Sequence, residues 1–443
     1  MLSVANVIFS GALMQTASAE MVNKIISNRM RIVVIEDRAQ PAVFLRVILP
    51  RGENDDPPNL AGVSDLAAEL VQKGAGARDA DAMAELVDEM GASLAGESSA
   101  EYTVLGCNAL STQLDTAIDI VRDIVLSPRL DKREFSLLKD QMTANIKAQR
   151  SSPSYLAAIN LPPAVFGKNR PQGRVKTEET VNAIGLEDVR TFHKNCLQGS
   201  GAIAFCIGDI DVAAVAKKLE EAFGGLPAGA APNLLTEVPE NLSPNQVVEV
   251  EKEGITQTTV LIGKPMPGRL SPQYYSTLVA NYILGGGGFV SRLMAAVRAK
   301  EGKTYGIRSA ITSTATPDLF DIKFTTRNEE LVPSIKLTLD VMNRFIQEGP
   351  TDTEVTEAKD FYKGYFFLQT ETPAQRAGKM LAYLYYGLGL EEIDLYPKKI
   401  DAVTRASAHE AAKLFFTPDH LTTCLVGPKE ATRQAKEFLL HRP

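Results

Sequence analysis

The chain states one pattern twice, and that repetition limits its possible folds more than any other feature. In the first half, Ser151-Ser152-Pro153 leads into a helical stretch, Val181-Asn182-Ala183-Ile184 opens another helix, and Ala202 to Gly208 is an apolar strand ending in Gly-Asp. In the second, Glu371-Thr372-Pro373, Ile400-Asp401-Ala402-Val403 and the strand Leu421 to Gly427, ending in Gly-Pro, take the same places. Pro153 and Pro373 are 220 residues apart, Val181 and Ile400 are 219 apart, and so are Gly208 and Gly427. Agreement to one residue at three landmarks reads as a duplication. At 443 residues the chain exceeds the ~250–300 at which one core stops growing, so at least two cores are required, and the repeat makes them alike.

Each half opens with short apolar or alternating runs, Arg31 to Ile35 and Val43 to Leu49 in the first, Gln246 to Val250 and Thr258 to Ile262 in the second. Each passes through amphipathic helices and returns to strands such as Tyr102 to Cys107 and Phe320 to Thr325. Strands grouped around long helices predict an α+β fold, two homologous repeats with helices packed on a mixed, mostly antiparallel sheet. Residues 20–225 and 245–443 are the expected repeats. The segment 226–244, rich in Pro, Ala, Gly and Asn and without any period, is the expected linker.

Charge removes two classes of partner. Lys and Arg number 47 against 54 Asp and Glu, a net charge of −7, and no basic run of five interrupts the chain. Nothing here attracts nucleic acid or an anionic membrane, and no membrane insertion is expected. The first nineteen residues are uncharged: an apolar run from Val4 to Met14 is followed by Ala17-Ser18-Ala19, a small-x-small cleavage signal, although no Lys or Arg precedes it. Residues 1–19 are therefore expected to be a signal peptide, with Glu20 opening a periplasmic or otherwise exported protein. Cys107, Cys196, Cys206 and Cys424 lack metal spacing and read as small core residues, with a Cys196–Cys206 or cross-domain bridge left open.

Leu60, Val63, Leu66, Ala67, Leu70 and Val71 recur at helical spacing, with Gly74 as a stop after Lys73. With the duplicated halves, the opening strand Met30 to Asp37 and the proline-marked helix, this stretch resembles the pitrilysin or insulinase family of inverzincin metallopeptidases. The first repeat of that family carries Gly-x-x-His-x-x-Glu-His. Placing Gly62 and Gly74 on the family's glycines puts Asp65 at the first ligand histidine, Ala68 at the catalytic glutamate and Glu69 at the second histidine. The further glutamate ligand falls at Asn145, eight residues before Pro153. The only histidines are His193, His409, His420 and His441, so the first 192 residues hold no imidazole. Zinc catalysis needs about three ligands, an open position and a base, and the chain does not supply them as the family does. Asp65 and Glu69, at i and i+4, read as solvated or paired carboxylates rather than as a replacement cation site.

The second half carries Gly285-Gly286-Gly287-Gly288-Phe289-Val290-Ser291-Arg292-Leu293, then a helix with Leu293, Met294 and Val297 at helical spacing. A glycine-rich turn before a helix suits phosphate, but the Lys-Ser/Thr of a P-loop is missing. The resemblance accounts for it better, as the second-repeat segment Gly-Gly-x-x-Ser-Arg-Leu followed by Arg-x-Lys-x-Gly-x-x-Tyr, standing here as Arg298 to Tyr305. In family members this Arg–Tyr pair faces the zinc, binding substrate backbone and stabilising the oxyanion, a role suited to fixed donors aimed at developing charge. The resemblance thus implies half of a clamshell, with Arg298 and Tyr305 acting in trans and Gly285, Gly286, Gly287 and Gly288 touching peptide. The expected partner is a homologous catalytic chain bearing His-x-x-Glu-His and the zinc, with no cofactor in this chain. A scaffold or assembly subunit outside proteolysis is the alternative, and an autonomous peptidase with a metal at Asp65 and Glu69 is the third reading.

Overall fold

The structure is a computed structural model and describes residues 20–232, 234, 238, 245–312 and 314–441. The signal-peptide expectation lies outside these residues, as does most of the linker. Leu226, the first residue assigned to the linker, is buried in the core of one unit.

The strands are β1 (Met21–Ile25), β2 (Arg31–Glu36), β3 (Ala42–Leu49), β4 (Ser93–Ser98), β5 (Thr103–Leu110), β6 (Ile203–Gly208), β7 (Gln246–Glu251), β8 (Gln257–Met266), β9 (Thr304–Ile311), β10 (Asp318–Arg327) and β11 (Thr422–Gly427). They form one sheet of six in the order β1-β2-β6-β3-β5-β4 and one of five in the order β7-β11-β8-β10-β9. Only the β2–β6 and β7–β11 pairs are parallel; every other pair is antiparallel. The expected α+β fold with mixed, mostly antiparallel sheets is therefore the observed one. The duplication is legible in it, since β3, β5, β4 and β6 of the first sheet answer to β8, β10, β9 and β11 of the second.

The compact units cut across the sequence halves. One comprises residues 20–144, 177–232 and 367–395, and the other 145–176, 245–366 and 396–441, with 234 and 238. Each repeat thus lends one helix to the other's sheet. Residues Pro153–Phe166, from the first half, pack Ala157 and Leu161 on Leu261, Cys424 and Val426 of the second sheet. Residues Pro373–Tyr385, from the second half, pack against β6 and β3 of the first. With their own repeat's helices on the opposite face, β6 and β11 are buried at every residue. A strand covered on both faces has no polar alternation, which is why both read as unbroken apolar runs.

Capping fixes where the lent helices begin. The side chains of Ser152 and Thr372 accept from the backbone N–H of Tyr155 and Gln375, and a proline follows each at the first helical position. A second matched pair closes helix ends. The Lys139 ammonium donates to the carbonyls of Asn182 (2.8 Å) and Ile184 (2.7 Å), and that of Lys359 donates to Asp401 (2.6 Å) and Val403 (3.0 Å). A cation on the last carbonyls satisfies acceptors that the helix cannot. All four cysteines are buried and unpaired, which removes the bridge left open by the sequence.

Candidate functional site

The helix on which a zinc motif would lie runs over Val63–Leu70, shorter at its start than the periodicity predicts because Pro58–Leu60 forms a separate 3-10 turn. Gly62 caps it at φ 104°, a left-handed conformation that favours glycine. The buried Asp56 carboxylate accepts from the N–H groups of Gly62 (2.7 Å) and Ser64 (3.1 Å). Burial outweighs those bonds and pushes its carboxyl up to about 7. Leu66 and Leu70 are fully buried, and the Ala68 methyl, standing where a catalytic base would be, is 2% exposed. Asp65 is half-buried, while Glu69 on the same helix and Asn145 on Lys132–Gln149 are exposed.

These residues do not fit a zinc ion. Among the described residues no group of three or more His, Cys, Asp or Glu side chains is placed to hold a metal. Three of the four histidines bond helix carbonyls instead: His193 to Val125 (2.9 Å), His409 to Ile346 (2.7 Å) and His441 to Glu437 (2.8 Å).

The glycine-rich turn that the sequence suggests is built from short helical turns. Tyr282–Gly286 is a π-helical turn, Gly288–Val290 a 3-10 turn, and Met294–Lys300 is again π-helical rather than a regular α-helix. Close packing explains two of the glycines. A Cβ on Gly285 would lie 2.5 Å from the Ser309 nitrogen of β9, and one on Gly287 would lie 2.9 Å from the Tyr282 ring. Gly288 differs, at φ +61° with open space where a Cβ would be. Phe289, which follows it, is 76% exposed.

Arg298 and Tyr305 flank a reversal. Gly302, at φ +61°, donates its N–H to the Arg298 carbonyl (2.9 Å), and Lys303 donates to Val297 (3.0 Å). Arg298 lies over the Phe289 ring at 4.7 Å, which joins it to the glycine-rich segment. It makes no ion pair among the described residues, Glu301 included. Tyr305, the second residue of β9, has 86% of its surface exposed and no hydrogen-bond partner among the described residues. A buried tyrosine finds a partner for its hydroxyl; this one offers it outward.

Tyr305 also lines a cavity of about 470 Å³ on the β9–β10 end of the sheet, with Gln257, Met294, Arg308, Lys323 and Thr325. The pairing of β9 with β10 brings Arg308 and Lys323 together, and no periodicity within either strand signals it.

Two family profiles match the chain, that of insulinase, peptidase family M16, over residues 31–177 and that of the peptidase M16 inactive domain over residues 183–362. The chain belongs to the M16 peptidase family. The non-peptidase homolog YmxG of Helicobacter pylori is 26% identical over 412 residues, 91% of this M16 chain and 93% of the relative. An uncharacterized zinc protease of Mycobacterium bovis is 24% identical over 88% of the chain and 89% of its own length. Among solved structures, the M16 inactive domain from Pseudomonas fluorescens matches with a TM-score of 0.83 at 24% identity, covering 93% of this chain and 98% of that one. The periplasmic protease PqqL of Escherichia coli matches at 0.77 and 14% identity over 97% of this chain, which spans 48% of PqqL. These structures share the fold. The inactive-domain profile and the non-peptidase relative mark this chain as a non-catalytic M16 homologue.

Proposed function

We propose that this M16 homologue is the non-catalytic partner subunit of an exported zinc peptidase heterodimer. A homologous chain bearing His-x-x-Glu-His holds the zinc and the base, and this chain contributes Arg298 and Tyr305 to the peptide substrate in trans. The observation that carries the reading is the state of that pair. Tyr305 is 86% exposed, and neither its hydroxyl nor the Arg298 guanidinium has a polar partner among the described residues. A hydroxyl without an internal partner and a guanidinium held against the Phe289 ring fit a role in completing a second chain's site, where they meet developing negative charge. Export rests on the uncharged, apolar start of the chain and Ala17-Ser18-Ala19. Among the described residues no helix is long and apolar enough to cross a membrane.

Purification of the tagged chain from its native host, with mass spectrometry of what elutes beside it, tests the reading. The expected companion is an M16 chain with an intact His-x-x-Glu-His, and the expected first residue of the chain is Glu20 or one close to it. Stoichiometric recovery with non-peptidase proteins alone would replace this reading with the scaffold one.

A further inference from the structure

The cavity beside Tyr305 carries a charge arrangement that the fold does not require. Arg308 on β9 and Lys323 on β10 are directly opposite in the antiparallel register. Both line the cavity. Like charges facing each other across a strand pair repel, and natural sheets ordinarily place opposite charges or apolar pairs there. Neither cation makes an ion pair among the described residues. Asp321, two residues along β10 from Lys323, feels both without bonding to either, and burial pushes its carboxyl up to about 6. On the Lys323 face the walls add the Gln257 amide and Thr325, while Met294 and Phe324 belong to the buried core behind them. A volume of about 470 Å³ is within the range of a small-ligand or side-chain pocket.

We infer that this cavity binds an acidic peptide segment, with a Glu or Asp carboxylate held between Arg308 and Lys323 beside Gln257 and Thr325. The inference rests on the proposed function and names the substrate class for the same site, because Tyr305 stands on the cavity wall. An incoming carboxylate relieves the repulsion between the two cations and accepts charge-assisted hydrogen bonds from both. The chain's net charge of −7 disfavours long polyanions, whereas a short acidic segment needs only this local field.

The test is an anisotropy titration of the full chain with two fluorescein-labelled octapeptides that differ only in a central Glu-Glu or Gln-Gln. The Glu-Glu peptide is expected to bind about tenfold more tightly, the scale of hydrogen bonds to a charged group. Arg308→Gln and Lys323→Gln should each remove most of that preference, while Lys323→Arg keeps it. The melts of both Gln variants are read beside the titration, because each change relieves the like-charge contact and also removes a cation that Asp321 feels, whereas Lys323→Arg should melt with the wild type. Equal binding of the two peptides, or a preference untouched by both substitutions, overturns the acidic selectivity. If Tyr305→Phe then weakens both peptides alike, the subunit reading survives that failure. A chain that binds neither peptide contradicts the inference and the proposed substrate contact together.

Discussion

The helix Val63–Leu70 and the reversal from Arg298 to Tyr305, the two places where the resemblance to M16 peptidases expects chemistry, have opposite physical characters. The first is packed along most of its length, with Asp65 half-buried and Glu69 alone exposed. Leu66, Ala67, Ala68 and Leu70 are buried, and the carboxylate nearest its N-terminus, Asp56, is engaged by backbone. The second exposes a phenol, a guanidinium over an aromatic ring and a pair of opposed cations. Side chains at the first place are held mostly by packing; at the second, Tyr305 has no hydrogen-bond partner among the described residues and Arg298 lies over the Phe289 ring. A polar group left outward without an internal partner is where function is to be sought, and a buried methyl at a catalytic position is where it has ended.

Substitutions sharpen that contrast. Ala68→Glu returns a carboxylate to its motif position, but into a site 2% exposed with no cation to meet it, and should cost about 3–5 kcal/mol in urea unfolding. If Ala68→Glu is tolerated within about 0.5 kcal/mol, the helix retains an open groove and the contrast fails. Leu66→Ala, at a fully buried position, should cost about 3 kcal/mol by the same measurement.

Asp56 gives a gentler effect that depends on pH. Because its carboxyl is raised to about 7 from an ordinary 3.8, the folded chain binds more protons than the unfolded one between those values. Its contribution to stability is full below pH 3.8 and is lost as the pH rises through about 7. The difference in unfolding free energy between wild type and Asp56→Asn, followed from pH 4 to 8, should therefore move against the wild type and level off above 7. A flat difference would mean that solvent reaches Asp56. Tyr305→Phe has the smallest expected effect on the chain alone, no more than about 1 kcal/mol, since no internal hydrogen bond is lost.

Much of this molecule was legible in its sequence. The 219–220 offset pointed to two like halves, and apolar runs located β2, β3, β5, β6, β7, β8, β10 and β11, although β5 runs three residues and β8 four residues beyond the ends read for them. β1 and β4, both at sheet edges, were missed: Ser93–Ser98 is half-exposed and carries neither a clean alternation nor an apolar run. The exchange of Pro153–Phe166 and Pro373–Tyr385 was hidden because a helix's apolar face does not say whose sheet it covers. At the candidate site, Arg298, Tyr305 and the emptied motif positions were read from residue identity. The opposition of Arg308 and Lys323 was not, because register joins residues that no local pattern relates.

The central claim is that Arg298 and Tyr305 act on a partner chain's substrate. Its most direct test is steady-state peptide hydrolysis by the reconstituted heterodimer containing wild-type, Tyr305→Phe or Arg298→Ala subunit, beside thermal melts of each subunit alone. The account predicts a loss in kcat/KM on the order of 10²-fold for Tyr305→Phe, the scale of removing one oxyanion donor, with the melts unchanged. Arg298→Ala should lose at least as much, with an added rise in KM as a multi-donor contact disappears. Turnover equal to wild type with both variants would contradict it.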